Sequence, residues 1–90
     1  MVGQIVCSRA GRDKGKFMVI VGQEGQDLLV ADGKERPLGR PKRKNPKHLA
    51  RTKTILEAEK FLTDKSLRRA LAIYRDTETY EEDETCQNQI

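Results

Sequence analysis

Phe17-Met18-Val19-Ile20-Val21 is an uninterrupted apolar run, and it decides how this chain folds. Successive side chains of a β-strand point to opposite faces, so Phe17, Val19 and Val21 lie on one face and Met18 and Ile20 on the other. A small curled sheet buries only its inner face by itself. The run therefore predicts a strand whose outer face is covered by another element of the chain.

Three other segments have strand character. Residues 2–8 are rich in β-branched side chains and lack Pro, and residues 28–31 are again apolar on both faces. Asp32-Gly33 is a hairpin-turn signal that leads into a short strand around residues 36–38, where Pro37 indicates a sheet edge. Short strands separated by turns predict a small β-barrel.

The C-terminal half supplies the covering element. Thr63 is placed to cap a helix, and an apolar stripe follows it at helical spacing. The stripe consists of Leu67, Ala70, Leu71 and Tyr74. Thr54 and Glu57 match a capping box, which predicts a shorter helix to about residue 62. We expect these helices to pack on the outer face of the sheet.

Composition divides the chain into three regions. We expect residues 1–53 to form the barrel with a basic segment, residues 54–75 to form one or two short helices, and residues 76–90 to be an acidic, disordered tail. The predicted fold class is mainly β with a C-terminal α part. A chain of 90 residues with 36% apolar side chains has a modest core, which excludes a multi-domain enzyme.

The sequence lacks the patterns of membrane-spanning, secreted, zinc-binding and coiled-coil proteins. It contains no apolar run of about eighteen residues and no charged-then-apolar leader, so we expect no membrane span, no signal peptide and a cytoplasmic location. Cys7 and Cys86 have no paired spacing, so no zinc site is expected. No heptad seam calls for a dimer, and we expect a monomer.

Charge is distributed unevenly along the chain. Residues 1–53 carry thirteen basic and five acidic side chains, a net charge of +8, whereas residues 54–90 carry five basic and nine acidic ones, a net charge of −4. Residues 34–53 alone hold nine Lys or Arg and one Glu. This density indicates either an anion-binding surface or a solvated, disordered linker.

The charged loop at residues 9–16 superficially resembles a phosphate-binding P-loop. Gly11 and Gly15 have three residues between them where the P-loop has four, Phe17 stands in the place of Ser/Thr, and a strand is predicted to follow where a P-loop has a helix. His48 is the single histidine and has no nucleophile or carboxylate at a pairing distance in sequence. The sequence therefore predicts no catalytic residues, no metal site and no cofactor.

A family resemblance becomes specific at this loop. Residues 3–21 resemble a KOW motif, the strand, basic loop and strand shared by several ribosomal proteins and transcription elongation factors. Its obligatory glycine corresponds to Gly11 or Gly15. The matching run is Gly3-Gln4-Ile5-Val6-Cys7-Ser8-Arg9-Ala10-Gly11-Arg12-Asp13-Lys14-Gly15-Lys16-Phe17-Met18-Val19-Ile20-Val21.

Two later runs are similar to a narrower group, the KOW-domain RNA-binding proteins of bacteria, which are related to a large-subunit ribosomal protein family of archaea and eukaryotes. The runs are Leu29-Val30-Ala31-Asp32-Gly33-Lys34 and Pro41-Lys42-Arg43-Lys44-Asn45-Pro46-Lys47-His48-Leu49. The resemblance covers about residues 2–52. It implies an SH3-like β-barrel that binds RNA, usually ribosomal RNA, without catalysis.

The aromatic content narrows the mode of binding. Only Phe17, Phe61, Tyr74 and Tyr80 are present, and Tyr74 lies on the predicted core stripe, so no platform exists for stacking successive bases. Structured RNA is therefore the expected partner. The alternative is a protein-interaction module that docks on the translation or transcription machinery.

The candidate RNA contacts fall into the loop and a second basic segment. They are Arg9, Gly11, Arg12, Lys14, Gly15 and Lys16 in the loop, and Arg40, Lys42, Arg43, Lys44, Lys47, His48 and Arg51 in the segment. From the residues alone we expect His48 to pack or hydrogen-bond beside Leu49, and the resemblance implies a minor RNA contact for it. The alternatives without RNA contact are a solvated turn for the loop and a mobile linker for the segment. Pro41 and Pro46 favour the mobile linker.

Overall fold

Five β-strands and one α-helix make up the fold. The computed structural model of the protein describes residues 2–77, with side chains to residue 75. The elements are β1 (Gln4–Ser8), β2 (Phe17–Glu24), β3 (Asp27–Ala31), β4 (Lys42–Lys44), β5 (Leu49–Ile55) and α1 (Asp64–Thr77), with short 3₁₀ helices at Pro46–His48 and Ala58–Phe61. The strands form one antiparallel sheet in the order β4-β3-β2-β1-β5. The predicted mainly β fold with a C-terminal helix is confirmed.

The sheet is buried on both faces, as the alternation in β2 predicts. Phe17 and Val19 belong to a helix-side cluster, whose other buried members are Ile5, Cys7, Ala31, Leu67, Leu71 and Tyr74. Met18 and Ile20 belong to an inner cluster with Val6, Leu28, Val30 and Leu49. One strand therefore contributes to two cores.

The sheet curves around the inner cluster. The pairing register shifts in β1 between Gln4 and Val6, and in β2 between Ile20 and Gly22. Such β-bulges bend a strand and increase its twist. The result is a small barrel-like sheet with its outer face turned toward α1.

Helix α1 begins at a side-chain cap. The backbone N–H of Ser66 donates to Thr63 Oγ1 at 3.1 Å, and the N–H of Thr63 donates to Ser66 Oγ at 3.2 Å. The Tyr74 ring meets Phe17 edge-on, with ring centroids 5.2 Å apart. The predicted cap and the predicted role of this helix as a cover for the sheet are both confirmed.

The predicted strand at residues 36–38 is wrong. This segment forms turns, because Asp32 Oδ1 accepts hydrogen bonds from the backbone N–H groups of Lys34 and Arg36, and Asp64 Oδ1 accepts one from Leu38 at 2.7 Å. The fourth strand is β4, which lies in the segment for which a mobile linker was the alternative. The edge of the sheet is therefore formed by β4 and not by Pro37.

The predicted helix from Thr54 is also wrong. Strand β5 continues to Ile55 beside β1, and the N–H of Leu56 then donates to Gly3 O at 2.7 Å. Pairing with β1 thus overrides the local capping signal, and only the 3₁₀ helix Ala58–Phe61 follows. Strand β5 also crosses the expected region boundary at residue 53.

The predicted acidic tail, residues 76–90, lies outside the described residues except for its first two, which are the last two of α1. Within residues 2–77, no helix is both long and apolar enough to cross a membrane.

Candidate functional site

The basic loop, residues 9–16, is a closed turn between β1 and β2. Ser8 N donates to Lys16 O at 2.9 Å, and Gly15 N donates to Ser8 O at 2.8 Å. Gly11 and Gly15 adopt φ values of 84° and 88°, which other residues adopt only with strain. The two glycines therefore serve the turn of the backbone and contribute no side chain to a ligand.

A buried carboxylate fastens the loop to β4. Asp13 is 7% exposed and accepts hydrogen bonds at Oδ1 from Ser8 Oγ at 2.7 Å and from Lys44 Nζ at 2.9 Å. Lys42 Nζ lies 3.4 Å from Asp13 Oδ2. We call Ser8, Asp13, Lys42 and Lys44 the ionic anchor. It fixes the position of the loop relative to the edge strand β4.

The ionic anchor changes the titration of Asp13. Burial raises the pKa of this carboxyl, but the hydrogen bonds from Ser8 and Lys44 and the charges of Lys44 and Lys42 outweigh burial and lower the pKa from 3.8 to about 2. Asp13 is therefore ionised throughout the physiological range.

Lys44 was predicted to contact RNA, but the structure places it inside. It is 6% exposed, and its ammonium also donates to Ala10 O at 2.8 Å. A buried lysine with two hydrogen-bond acceptors is engaged within the protein and does not present its charge to a ligand. Lys44 positions the loop.

Two other candidates are exposed but paired with carboxylates. Lys16 Nζ lies 2.7 Å from Glu35, and the hydrogen bond between them raises the pKa of the Lys16 ammonium. Arg43 Nε lies 2.8 Å from Asp27, with Glu24 3.4 Å from the same guanidinium. Both pairs are open to solvent, so an incoming phosphate can displace the carboxylate at a modest cost.

The remaining loop cations are exposed and form no ion pair within the described part of the chain. These are Arg9, Arg12 and Lys14. Arg9 N donates to His48 O at 2.8 Å, which brings the loop beside the 3₁₀ helix Pro46–His48. Arg51 pairs with Val6 of β1, near the start of the loop.

We call the exposed side chains gathered here the loop surface. It consists of Arg9, Arg12, Lys14, Lys47, His48 and Arg51. Its charged groups are guanidinium and ammonium hydrogen-bond donors, which suit phosphate oxygens. They offer neither a nucleophile nor a carboxylate base.

Arg40 is not brought to the loop surface by any described contact. Its backbone N–H closes a turn by donating to Pro37 O. The N–H of Leu38 in this turn donates to Asp64 Oδ1, at the first residue of α1. Arg40 is exposed at that position.

The sequence predictions missed two kinds of site residue. Asp13 was counted as a charge in the loop, although a single acid among loop cations is a signal for an internal partner. Lys34, Arg68 and Arg75 are not among the predicted contacts, yet they line one groove beside α1 with Lys16. The seven-residue spacing of the two arginines places them on one helix face and can be found in the sequence. The position of Lys34 beside these arginines depends on the fold and has no signal in the sequence.

Comparison with protein-family models and with curated proteins finds no match to this chain.

Proposed function

We propose that the protein is a non-enzymatic RNA-binding module that holds structured RNA through the loop surface. The observation that carries this proposal is a set of three exposed loop cations, with no ion pair within residues 2–75, on a turn fastened by a buried ion pair. Arg9, Arg12 and Lys14 project from this turn.

The ionic anchor supports binding because it orders the loop before any ligand arrives. Ordering a loop on binding costs free energy that reduces affinity. Here the loop backbone is already fixed by Asp13 and by the bond from Gly15 N to Ser8 O. The cations are therefore presented from a defined backbone to phosphates at defined spacing.

The aromatic side chains support structured RNA over unpaired strands. Phe17 and Tyr74 are buried against each other, and Phe61 packs against the helix-side cluster. No Phe or Tyr side chain among residues 2–75 is exposed for stacking on a base, and the imidazole of His48 is the one exposed ring in that range. Contacts to the phosphates of a folded RNA suit this surface better than recognition of splayed bases.

The KOW resemblance supports a more specific proposal. It covers about residues 2–52, which include the basic loop and strands β1 to β4, and it makes ribosomal RNA the first candidate. A role at the ribosome in translation, in the cytoplasm, follows from that partner.

The test is RNA binding by a double variant of the loop, R12Q/K14Q. We expect its affinity for a structured RNA such as a ribosomal RNA fragment to fall by about tenfold, and the slope of log K against log salt to decrease by about two. K65Q/R69Q is the matched control, since it removes the same charges from exposed positions on α1. Equal affinities for the loop variant and the control would reject the loop surface.

A protein-docking function is the second candidate, and an edge strand favours it. β5 is seven residues long and lies at the edge of the sheet, where it can pair with a strand of another chain. The two functions separate in one experiment: after nuclease treatment, a protein that still co-purifies at physiological salt favours docking, whereas loss of all partners favours RNA binding.

A further inference from the structure

A groove runs along α1 on the side facing the start of β2. It has a volume of about 340 Å³ and lies between the helix and the loop that follows β3. Four cations line it: Lys16, Lys34, Arg68 and Arg75. Three of these four come from outside the candidate contacts predicted from sequence.

The cations of this helix groove come from three parts of the chain and are held by the fold. Lys16 ends the basic loop, Lys34 follows β3, and the two arginines are two turns apart on α1. Arg68 donates to Gly33 O at 3.1 Å, which joins the helix to the loop after β3. The two walls of the groove, α1 and the loop after β3, are therefore joined by a direct hydrogen bond.

The acidic groups at the groove already have partners. Asp32 Oδ1 accepts two backbone N–H groups of its own turn, and Glu35 pairs with Lys16. Lys34 and Arg75 are exposed and form no ion pair within residues 2–75. The groove thus keeps at least two cations available to an incoming anion.

Apart from the four cations and Asp32, the lining is apolar. Phe17, Leu71 and Ala72 contribute to it, and the first two belong to the helix-side cluster. A ligand suited to this surface carries negative charge on one part and an uncharged, less polar part beside it. A phosphate with its attached ribose has this character.

We propose that the helix groove binds a sugar-phosphate unit of the same RNA that contacts the loop surface. The phosphate is held by Lys34 and Arg75, with Arg68 at the wall, and the ribose lies against Phe17 and Leu71. Lys16 belongs both to the basic loop and to the groove, so one RNA strand can pass from one surface to the other. This inference rests on the proposed RNA binding and extends it to the helix.

The test compares three double variants of the full chain, each of which removes one Lys and one Arg charge. K34Q/R75Q changes the groove, R12Q/K14Q changes the loop surface, and K65Q/R69Q is the control. Neither Lys34 nor Arg75 forms a side-chain hydrogen bond within residues 2–75, so K34Q/R75Q is expected to unfold at the wild-type temperature. Binding of a structured RNA is measured over a range of salt concentrations.

We expect K34Q/R75Q to weaken binding several-fold beyond the control and to reduce the salt slope by about two. In NMR spectra of the unchanged protein, RNA should shift the amide signals of Gly33, Lys34 and residues 68–75, and the groove variant should abolish those shifts.

Two negative results are distinguishable. If R12Q/K14Q weakens binding while K34Q/R75Q behaves like the control, the helix groove is rejected and the loop surface stands. If the unchanged protein binds no structured RNA, both the proposed function and the groove are rejected.

Discussion

Asp13 is the residue on which the basic loop depends. It is the acceptor for the hydroxyl of Ser8 and for the ammonium groups of Lys44 and Lys42. Removing one partner of a buried pair leaves the other charge uncompensated, which costs more than the pair itself contributes. We therefore expect Asp13→Asn, which keeps the shape of the side chain, to lower the free energy of unfolding by about 3 kcal/mol.

Urea unfolding of the wild type and D13N measures this difference. Glu35→Gln is the control, because it also breaks a lysine pair, with Lys16, but one that is open to solvent. We expect no measurable change for E35Q. A D13N protein as stable as E35Q would contradict the assigned role of Asp13.

The low pKa of Asp13 also predicts how stability depends on pH. Its folded pKa, about 2, lies below the ordinary value of 3.8, so the unfolded chain binds the proton more readily than the folded one. The stabilisation is fully present above pH 3.8 and is lost as pH falls toward 2; it amounts to about 2 kcal/mol.

The measurement for this prediction is the free energy of unfolding between pH 2 and 5 for the wild type and D13N. Other carboxyl groups titrate in both proteins, so the difference between the two curves isolates Asp13. We expect the gap between the curves to close as the pH falls. A constant gap would show that the charge of Asp13 is not what stabilises the loop.

At the scale of elements, the stability of the sheet depends on its packing against α1. Leu67 is fully buried in the helix-side cluster. Replacing a buried leucine with alanine removes apolar contacts and leaves a cavity, so Leu67→Ala should cost about 2–5 kcal/mol. Thermal or denaturant unfolding measures the loss. Leu62→Ala is the control, since Leu62 is 72% exposed and its truncation should change stability little.

The loop after β3 packs closely on the N-terminal end of α1, and Gly33 makes this approach possible. Gly33 has φ of 80°, and a Cβ built on it would lie 2.5 Å from the backbone oxygen of Asp64. We expect Gly33→Ala to destabilise the protein by clearly more than the roughly 1 kcal/mol of left-handed strain alone.

Gly25→Ala is the matched variant for this prediction. Gly25 also has positive φ, 63°, but nothing lies within 4 Å of its built Cβ. G25A should therefore show the cost of backbone strain without a clash between the added Cβ and a neighbouring atom. Equal losses of unfolding free energy for G33A and G25A would mean that the loop can move away from α1 at no cost.

The elements predicted correctly from sequence are those whose own residues carry the pattern. β1, β2, β3 and α1 have apolar periodicity that can be found in a short window. β4 does not: Lys42-Arg43-Lys44 has no apolar residue and becomes a strand by pairing with β3 and by placing two lysines on Asp13. Its formation depends on residues 12 to 31 positions away, which local patterns do not contain.

The candidate site was predicted from sequence to a similar degree. The basic loop was found because its charges and glycines are contiguous. The separation of the candidate cations of the loop and the second basic segment into buried ones, paired ones and ones with no ion pair within residues 2–75 required the positions of Asp13, Asp27 and Glu35 in the fold. For the same reason, the convergence of Lys34 with Arg75 had no local signal.

At the scale of the whole molecule, internal ion pairs reduce the number of cations that are available to a ligand. The thirteen basic side chains of residues 1–53 include four that pair with carboxylates of the same segment. They are Lys16, Lys42, Arg43 and Lys44. The loop surface has no carboxylate partner within residues 2–75. Of the nine other basic side chains, five belong to the loop surface, and Lys34, Arg36, Arg40 and Lys53 lie outside it. More than half of the basic side chains that have no ion pair within residues 2–75 therefore lie on the surface proposed to contact RNA.

This arrangement predicts binding that depends strongly on salt and weakly on RNA sequence. With about four or five phosphate contacts, the slope of log K against log salt should be about −4, so affinity should fall by roughly 10²–10³ between about 50 and 200 mM salt. Two folded RNAs of unrelated sequence should bind alike, and R12Q/K14Q should weaken both equally, because phosphate contacts carry no sequence information. Titration of each RNA at several salt concentrations measures both effects. A slope near zero, or loss of binding to only one of the two RNAs, would point to contacts other than those with phosphates and would contradict charge-driven binding by the loop surface.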